Sequence, residues 1–129
     1  MSAAPINDPA TLAAVEAALD EYERALTTND VPVLDALFWN SPHTLRYGAT
    51  ENLQGYDAIR AFRAQRPGKG LMRDVIDRSV TTFGADFAAA NITFSRAGES
   101  RIGRQSQTWA RIDGQWRVVA AHVSWMDPS

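Results

Sequence analysis

The chain contains no cysteine and only two histidines. The lack of cysteine excludes a disulfide scaffold, a thiolate metal site and a cysteine nucleophile, and it fits a reducing compartment. The two histidines, His43 and His122, are scattered and lack the spacing of metal ligands. We therefore expect no metal and no cofactor.

Neither an excess of charge nor a long apolar run is present. The 13 basic and 15 acidic residues give a formal net charge of -2, so nothing in the charge balance favours binding to nucleic acid or to an anionic membrane. No apolar stretch approaches the roughly 20 residues of a membrane span, and the N-terminus lacks the order of a signal peptide. These absences favour a cytoplasmic protein.

What the sequence does contain is enough apolar material for one core. With 129 residues, of which 45% are hydrophobic, residues 1–129 are expected to form one domain, with residues 1–7 as a flexible tail. Asp8 and Pro9 then supply an N-cap followed by a proline at the first helical position. A helix of about five turns is expected to follow. Its apolar residues recur at steps of three and four: Leu12, Val15, Leu19, Tyr22 and Leu26.

Prolines and glycines divide the remaining chain into shorter elements. The pattern predicts a second helix over 31–39, a strand over 43–48 and a third helix over 55–66, and the Pro-Gly-Lys-Gly segment at 67–70 is a break. Four strands are expected afterwards, over 71–83, 87–96, 101–112 and 115–126. Helices followed by a four-strand meander predict an α+β fold, in which three N-terminal helices cover one side of a curled antiparallel sheet.

The last two strands end in polar side chains that could line a site. Asp113 and Gly114 supply the tight turn between them. Side chains alternate between the two faces of a strand, so Gln105, Gln107 and Trp109 share one face. Strict alternation places His122 in one row of the returning strand with Trp116, Val118, Ala120 and Ser124, and places Arg117, Val119, Ala121, Val123 and Trp125 in the other.

Several segments, in fixed order, resemble those of a known family. They are Tyr22 to Leu26, LFW at 37–39, LRYGATENLQGYDAIRAFRAQRP at 45–67, TTFGADFA at 81–88, and GRQSQTW, DGQW and HVS near the C-terminus. The chain resembles the SnoaL-like branch of the nuclear transport factor 2-like superfamily. More specifically, it resembles the AtzH-like and oxalurate-catabolism proteins, which are encoded with amidases of ureide and cyanuric acid breakdown and include a proposed 1,3-dicarboxyurea amidohydrolase.

The resemblance implies a cone-shaped sheet closed by the first helix, with one deep pocket between them. It also implies a cofactor-free amidohydrolase that acts on an N-carboxylated urea such as 1,3-dicarboxyurea, releases ammonia or carbon dioxide, and gives allophanate. The residues alone do not distinguish hydrolysis from decarboxylation.

Six residues are candidates for this chemistry. Tyr22 and Arg46 are the catalytic candidates, Arg46 as the carboxylate anchor and Tyr22 as the proton-transfer group. The alternatives are a core tyrosine and a salt bridge from Arg46 to Glu51. Gln105 and Gln107 would hold the urea, His122 would assist, and Arg63 would attract anions at the pocket mouth. The alternatives are an exposed polar row, an interior or interface histidine, and a solvated arginine stripe.

Two other functions remain open at this point. The first is a non-catalytic protein that binds a carboxylated ligand or stabilises a neighbouring amidase, and the second is an oligomerisation module. A homodimer is expected from the fold, through an outer sheet face that includes Arg117, Val119, Val123 and Trp125.

Overall fold

The computed structural model describes residues 5–128, and in that range the chain forms three helices and six strands. The expected helices are present and slightly shorter than the sequence pattern indicates, and one additional strand, β2, lies between β1 and the third helix. The helices are α1 (Pro9–Thr27), α2 (Val31–Leu37) and α3 (Tyr56–Gln65). The strands are β1 (Leu45–Tyr47), β2 (Asn52–Gln54), β3 (Asp74–Phe83), β4 (Phe87–Ser95), β5 (Ile102–Ile112) and β6 (Gln115–Met126).

One sheet contains all six strands, in the order β2-β1-β6-β5-β4-β3. The expected antiparallel meander runs from β3 to β6, and β2 pairs antiparallel with β1. The sheet is nevertheless mixed, because β1 runs parallel to β6. Three helices packed on a curled sheet confirm the α+β fold. The sheet does not close, since β2 and β3 form its two edges.

The helices pack on one face of the sheet, which is called the inner face below. Helix α1 begins where the Asp8 carboxylate accepts a hydrogen bond from the Thr11 amide at 3.1 Å. Its buried stripe, including Val15, Leu19 and Tyr22, forms one hydrophobic cluster with Ala90 and Trp109 of the sheet. The core therefore lies between α1 and the inner face.

The segment before α1 is more ordered than the sequence suggests. Residues 1–4 of the expected tail lie outside the described residues, but Ile6 forms a bridge with Phe83 at the free edge of β3. The Asn7 amide donates to the Thr82 carbonyl at 3.1 Å, and the Asn7 side chain accepts from the Thr82 amide at 2.8 Å. Residues 5–7 therefore cover part of an edge strand, and the expectation of a loose tail there is wrong.

A β-bulge changes which side chains of β6 face inwards. Thr108 pairs with Ala120 and the next residue, Trp109, pairs with Val118, so Val119 is the extra residue on β6. An extra residue shifts the alternation of side chains by one position. Val118 faces inwards, and beyond the bulge the inward positions become Ala121, Val123 and Trp125, the cross-strand partners of Gln107, Gln105 and Gly103.

Candidate active site

The centre of the inner face is a row of residues across four strands. Arg46 of β1 lies opposite Ala121 of β6, Ala121 lies opposite Gln107 of β5, and Gln107 lies opposite Ala90 of β4. Cross-strand partners project from the same face, so Arg46 and Gln107 both point towards the helices. The two alanines carry only a methyl group each, so no bulky side chain of the row separates Arg46 from Gln107.

The amide of Gln107 is held in one orientation. The Trp109 indole, which can only donate, gives a hydrogen bond of 3.0 Å to Gln107 Oε1. Gln107 is buried, and its Nε2 is also buried but has no hydrogen-bond partner within residues 5–128. The unpartnered NH₂ group is therefore a donor available to a ligand oxygen.

Tyr22 stands over this part of the sheet, as its place on the apolar stripe of α1 predicts. The residue is buried, and its ring lies edge-on to the ring of Trp109, with centroids 6.4 Å apart. Phe38 packs on the other side at 6.2 Å. These aromatic contacts fix the phenol between α1 and the inner face.

Gln105 is the second carboxamide of the row on β5, and it too is buried. Together with Tyr22 and Leu19 it lines a cavity of about 30 Å³. A cavity of this size holds one or two water molecules. Gln105 and Gln107 are thus inner-face residues rather than an exposed polar row.

Arg46 is already paired with an acid. Its Nη1 donates to Glu51 Oε1 at 2.9 Å, and its guanidinium lies 5.6 Å from the centre of the Phe62 ring. Burial disfavours charge on Glu51, but hydrogen bonds from Thr50 and Arg46 outweigh it, so the pKa of Glu51 lies below its ordinary value. This ion pair uses only Nη1 of Arg46, so the other nitrogens of the guanidinium are not needed for it.

Arg66 is the residue of this region that sequence reasoning missed. It follows α3 directly, and its Nε and Nη2 are buried without a hydrogen-bond partner among the described residues. Burial lowers the pKa of the Arg66 guanidinium, and repulsion by Arg46 is the next cause. Arg63 and Arg96 act in the same direction, and Tyr22 also lies close enough to Arg66 to affect it. Arg66 therefore belongs to the same electrostatic neighbourhood as both catalytic candidates.

A signal for Arg66 was present in the sequence. The apolar stripe of α3 includes Ile59 and Phe62, and steps of four and seven residues from Ile59 lead to Arg63 and Arg66. Arg60, in contrast, is exposed. The three arginines at 60, 63 and 66 are spaced three apart, but they do not form one solvated stripe.

Arg63 occupies a different place from the one expected. It is only 4% exposed, its Nη1 lies 2.5 Å from Asp35 Oδ1, and its guanidinium stacks 4.7 Å from the centre of the Phe38 ring. These contacts hold α2 against α3. The expectation that Arg63 lies at the pocket mouth is wrong, because its charge is buried against Asp35.

His122 also lies elsewhere, as a consequence of the bulge. Its cross-strand partner is Ser106, on the face opposite to Gln105 and Gln107, and its ring lies edge-on to Tyr47 at 5.7 Å. His122 is exposed on the outer face, so it cannot assist chemistry at the inner face.

Two of the four residues of the expected outer dimer face lie elsewhere for the same reason. Val123 and Trp125 point inwards, and Trp125 packs on the Phe94 ring at 5.5 Å. The homodimer itself stays a prediction.

Larger surface depressions exist outside this region. The depression beside Asp35, Trp39 and Tyr56 measures about 510 Å³, but the Tyr56 hydroxyl there already donates to the Asp35 carbonyl at 2.9 Å. Another, of about 400 Å³, lies on the outer face around Tyr47 and His122. We prefer the inner-face site, because the unpartnered amide nitrogen of Gln107 is buried there, in the same row as Arg46.

Two wider properties concern residues 5–128 as a whole. No group of three or more potential ligands with the arrangement of a metal site occurs among them. Within the same range, no helix combines the length and the apolar character required to cross a membrane.

Comparison with known proteins identifies the family of this chain. The family model described as AtzH-like matches residues 4–129. The chain belongs to the AtzH-like family. A DUF3225-family protein of unknown function from Pectobacterium atrosepticum is 51% identical, with a TM-score of 0.94 over 98% of this chain and 100% of that chain. A cystatin-like fold protein from Burkholderia xenovorans is 43% identical, with a TM-score of 0.94 over 98% and 99%.

More distant structures share the fold alone. An NTF2-like superfamily protein from Salmonella enterica is 22% identical, with a TM-score of 0.72 over 93% of this chain and 94% of that chain. The chain therefore has the nuclear transport factor 2-like fold, as its sequence suggests. No curated protein matches it.

Proposed function

We propose that this AtzH-like protein is a cofactor-free amidohydrolase for an N-carboxylated urea such as 1,3-dicarboxyurea, and that it produces allophanate. One observation carries the proposal: Arg46 and the unpartnered Gln107 amide lie in one row of the inner face, and the ring of Tyr22 contacts Trp109, which holds that amide. A cation and a carboxamide donor suit the carboxylate and the carbonyl of such a urea. Family membership supports the same substrate class.

Each polar group has a distinct task in binding. Arg46 would bind the carboxylate whose carbon–nitrogen bond is broken. Glu51 would hold one side of the Arg46 guanidinium in place. Gln107 Nε2 would donate to the urea carbonyl oxygen, because its own oxygen is held by Trp109. Gln105 would bind a urea N–H through its carbonyl oxygen. The substrate would be oriented by fixed side chains rather than by a cofactor.

The bond that breaks joins a carboxyl carbon to a urea nitrogen. Water adds to that carbon, the carbon–nitrogen bond breaks, and the nitrogen takes up a proton. One 1,3-dicarboxyurea dianion and one water give one allophanate anion and one bicarbonate, which balances atoms and charge and releases no ammonia. Direct decarboxylation would consume a proton instead of water and yield carbon dioxide.

In this proposal Tyr22 is the group that would move the proton. It would donate to the nitrogen as the carbon–nitrogen bond breaks and regain a proton from the incoming water. Arg46 would stabilise the negative charge that develops on the carboxyl group in the transition state. The contact of Tyr22 with Trp109, which also holds Gln107, keeps donor and substrate in one geometry.

Turnover by purified variants tests these roles. We expect Tyr22→Phe and Arg46→Ala to lower kcat/KM by a factor of about 100 or more, the order found for lost proton-transfer and charge-stabilising groups. Tyr56→Phe is the matched control, since its hydroxyl bonds to a backbone carbonyl outside the site. If Tyr22→Phe and Arg46→Ala fold normally and work at the parent rate, the mechanism is wrong.

A non-catalytic role has its own outcome in the same experiment. Parent protein that binds the ureide but produces no allophanate without the neighbouring amidase would support an accessory function. Parent protein that neither binds nor converts it, and that loses its assembly after substitutions on the outer sheet face, would support an oligomerisation module.

A further inference from the structure

We infer that Arg66 binds a second carboxylate of the ligand and thereby makes the inner-face site selective for dianions over monoanions. The inference rests on the proposed function, since it concerns the same site, and it names a specificity-determining residue there. The substrate proposed above is a dianion, whereas its product allophanate carries one negative charge.

Arg66 differs from the other arginines around the site in lacking any compensating contact. Arg46 is paired with Glu51, Arg63 with Asp35, and Arg73 with Glu23 through two hydrogen bonds of 2.8 Å. Within residues 5–128, Arg66 forms no ion pair, and two of its nitrogens are buried without any hydrogen bond. Guanidinium nitrogens that are buried without a partner cost free energy unless a ligand completes them.

Aromatic stacking does not compensate Arg66 either. The guanidiniums of Arg46 and Arg63 lie over Phe62 and Phe38, and that of Arg96 lies 5.5 Å from the Phe94 ring. No comparable ring lies under Arg66 in the described part of the chain. Arg46 lies over the ring of Phe62, which precedes Arg66 by four residues, so the two guanidiniums are near each other, and Arg63 and Arg96 add further positive charge. An anion beside Arg66 would relieve this mutual repulsion.

The backbone at the end of α3 fixes the position of Arg66. Its φ of -70° and ψ of 132° are extended, as expected for a residue that precedes a proline. The helix ends at Gln65, and Pro67 prevents it from continuing. Because φ and ψ of Arg66 are fixed in this way, its side chain leaves the backbone from a defined point at the end of α3.

A dianion would then bind with one carboxylate on Arg46 and the other on Arg66. Loss of one carboxylate during turnover would remove one of these two ion pairs. The product would be held by fewer charge-assisted hydrogen bonds than the substrate, which favours its release. Arg66 thus acts on specificity and not on the bond that breaks.

Two carbon analogues separate the charge states without any turnover of a urea bond. In 3-oxoglutarate, CH₂ groups replace both N–H groups of 1,3-dicarboxyurea, and acetoacetate stands in the same relation to allophanate. Dissociation constants of both would be measured by calorimetry for the parent, Arg66→Gln, Arg66→Lys and Arg60→Gln proteins. Arg60 is the control, because it lies on α3, six residues before Arg66, and is exposed.

We expect the parent and Arg60→Gln proteins to prefer 3-oxoglutarate by tenfold or more. Arg66→Gln should lose that preference because only the binding of the dianion becomes weaker. Arg66→Lys should recover part of the preference, since lysine keeps the charge but not the forked geometry of the guanidinium. The inference is overturned if Arg66→Gln keeps the parent preference, or if it binds both ligands more weakly by the same factor.

Failure of the proposed function looks different. A parent protein that prefers the dianion but does not convert 1,3-dicarboxyurea would contradict the amidohydrolase proposal and leave the role of Arg66 standing. Conversely, normal turnover together with an unchanged KM and unchanged preference in Arg66→Gln would contradict only the role of Arg66.

Discussion

Arg46 and Gln107 lie in one row of the inner face, on either side of Ala121. Neighbouring strands are about 4.8 Å apart, so the Cα atoms of Arg46 and Gln107 are separated by about 10 Å. The methyl group of Ala121 is the only side chain of the row between them. Under the proposed function, a ligand that contacts both polar groups would lie above Ala121.

Filling this space should impair binding. Ala121→Val adds two methyl groups between Arg46 and Gln107, and we expect KM to rise by tenfold or more while the fold is retained, at a stability cost of about 1–3 kcal/mol. Ala120→Val, on the outer face, is the matched control. Steady-state kinetics and urea unfolding of both variants check this, and equal KM values in the two would contradict it.

The orientation of the Gln107 amide should depend on Trp109. Trp109→Phe keeps an aromatic ring but removes the donor to Gln107 Oε1, which leaves a buried acceptor unpaired. We expect a loss of about 1–3 kcal/mol in the free energy of unfolding and a tenfold or greater loss in kcat/KM. Trp116→Phe is the control, since that residue is only partly buried. Parent-like kinetics for Trp109→Phe would show that Gln107 does not need this bond.

The ion pair between Glu51 and Arg46 should give stability that depends on pH. The pKa of Glu51 is lowered in the folded protein, so its contribution is present above the ordinary glutamate pKa of about 4.3 and is lost as the pH falls through the folded value. We expect Glu51→Gln to be about 1 kcal/mol less stable than the parent at pH 7. The difference should shrink below pH of about 4 in urea unfolding experiments. A difference that grows towards low pH would contradict this assignment.

Gly48 makes room for the Glu51 carboxylate. A Cβ atom on Gly48 would lie 1.8 Å from Glu51 Oε1, so alanine there must displace the acid from Arg46. Gly48 is not among the residues with positive φ, so alanine adds no backbone strain. We expect Gly48→Ala to reproduce the stability profile of Glu51→Gln against pH. If Gly48→Ala keeps the parent dependence of stability on pH, the Glu51 carboxylate can reach Arg46 in another conformation, which contradicts this account.

Neutralising Arg66 should stabilise the ligand-free protein. Arg66→Gln removes a partly buried cation that has no acid partner among residues 5–128, and we expect Tm to rise by about 3 °C, the effect of roughly 1 kcal/mol in a domain of this size. Arg60→Gln should change Tm by less. Thermal unfolding followed by circular dichroism measures both variants, and a lower Tm for Arg66→Gln would mean that Arg66 has a structural partner.

The sequence predicts the framework well because its signals are local. The N-cap at Asp8, the apolar stripe of α1 and the Asp113-Gly114 turn specify their elements with nearby residues alone. The three residues of β2 carry no such signal, since a short polar strand is defined by its pairing with β1. The inward direction of Tyr22 follows from the stripe, and the structure agrees.

Side-chain direction on β6 could not be predicted for a physical reason. Alternation holds only without a bulge, and the extra Val119 reverses the faces of every residue from Ala120 onwards. His122 therefore leaves the site, and Val123 and Trp125 enter the interior. The inward position of Arg66 could be predicted only by continuing the apolar stripe of α3 through Arg63 and Arg66. Charged residues are normally assigned to the solvent face of a helix, so the pattern of polar residues argues against this.

The most direct test of the central claim is product analysis with purified protein alone. 1,3-Dicarboxyurea labelled with ¹³C in its carboxyl groups would be followed by NMR with parent, Tyr22→Phe and Tyr56→Phe proteins. We predict one allophanate and one bicarbonate or carbon dioxide for each substrate consumed, no ammonia, and loss of the catalysed rate in Tyr22→Phe only. A parent rate equal to that of buffer, or full activity in Tyr22→Phe, would contradict the account.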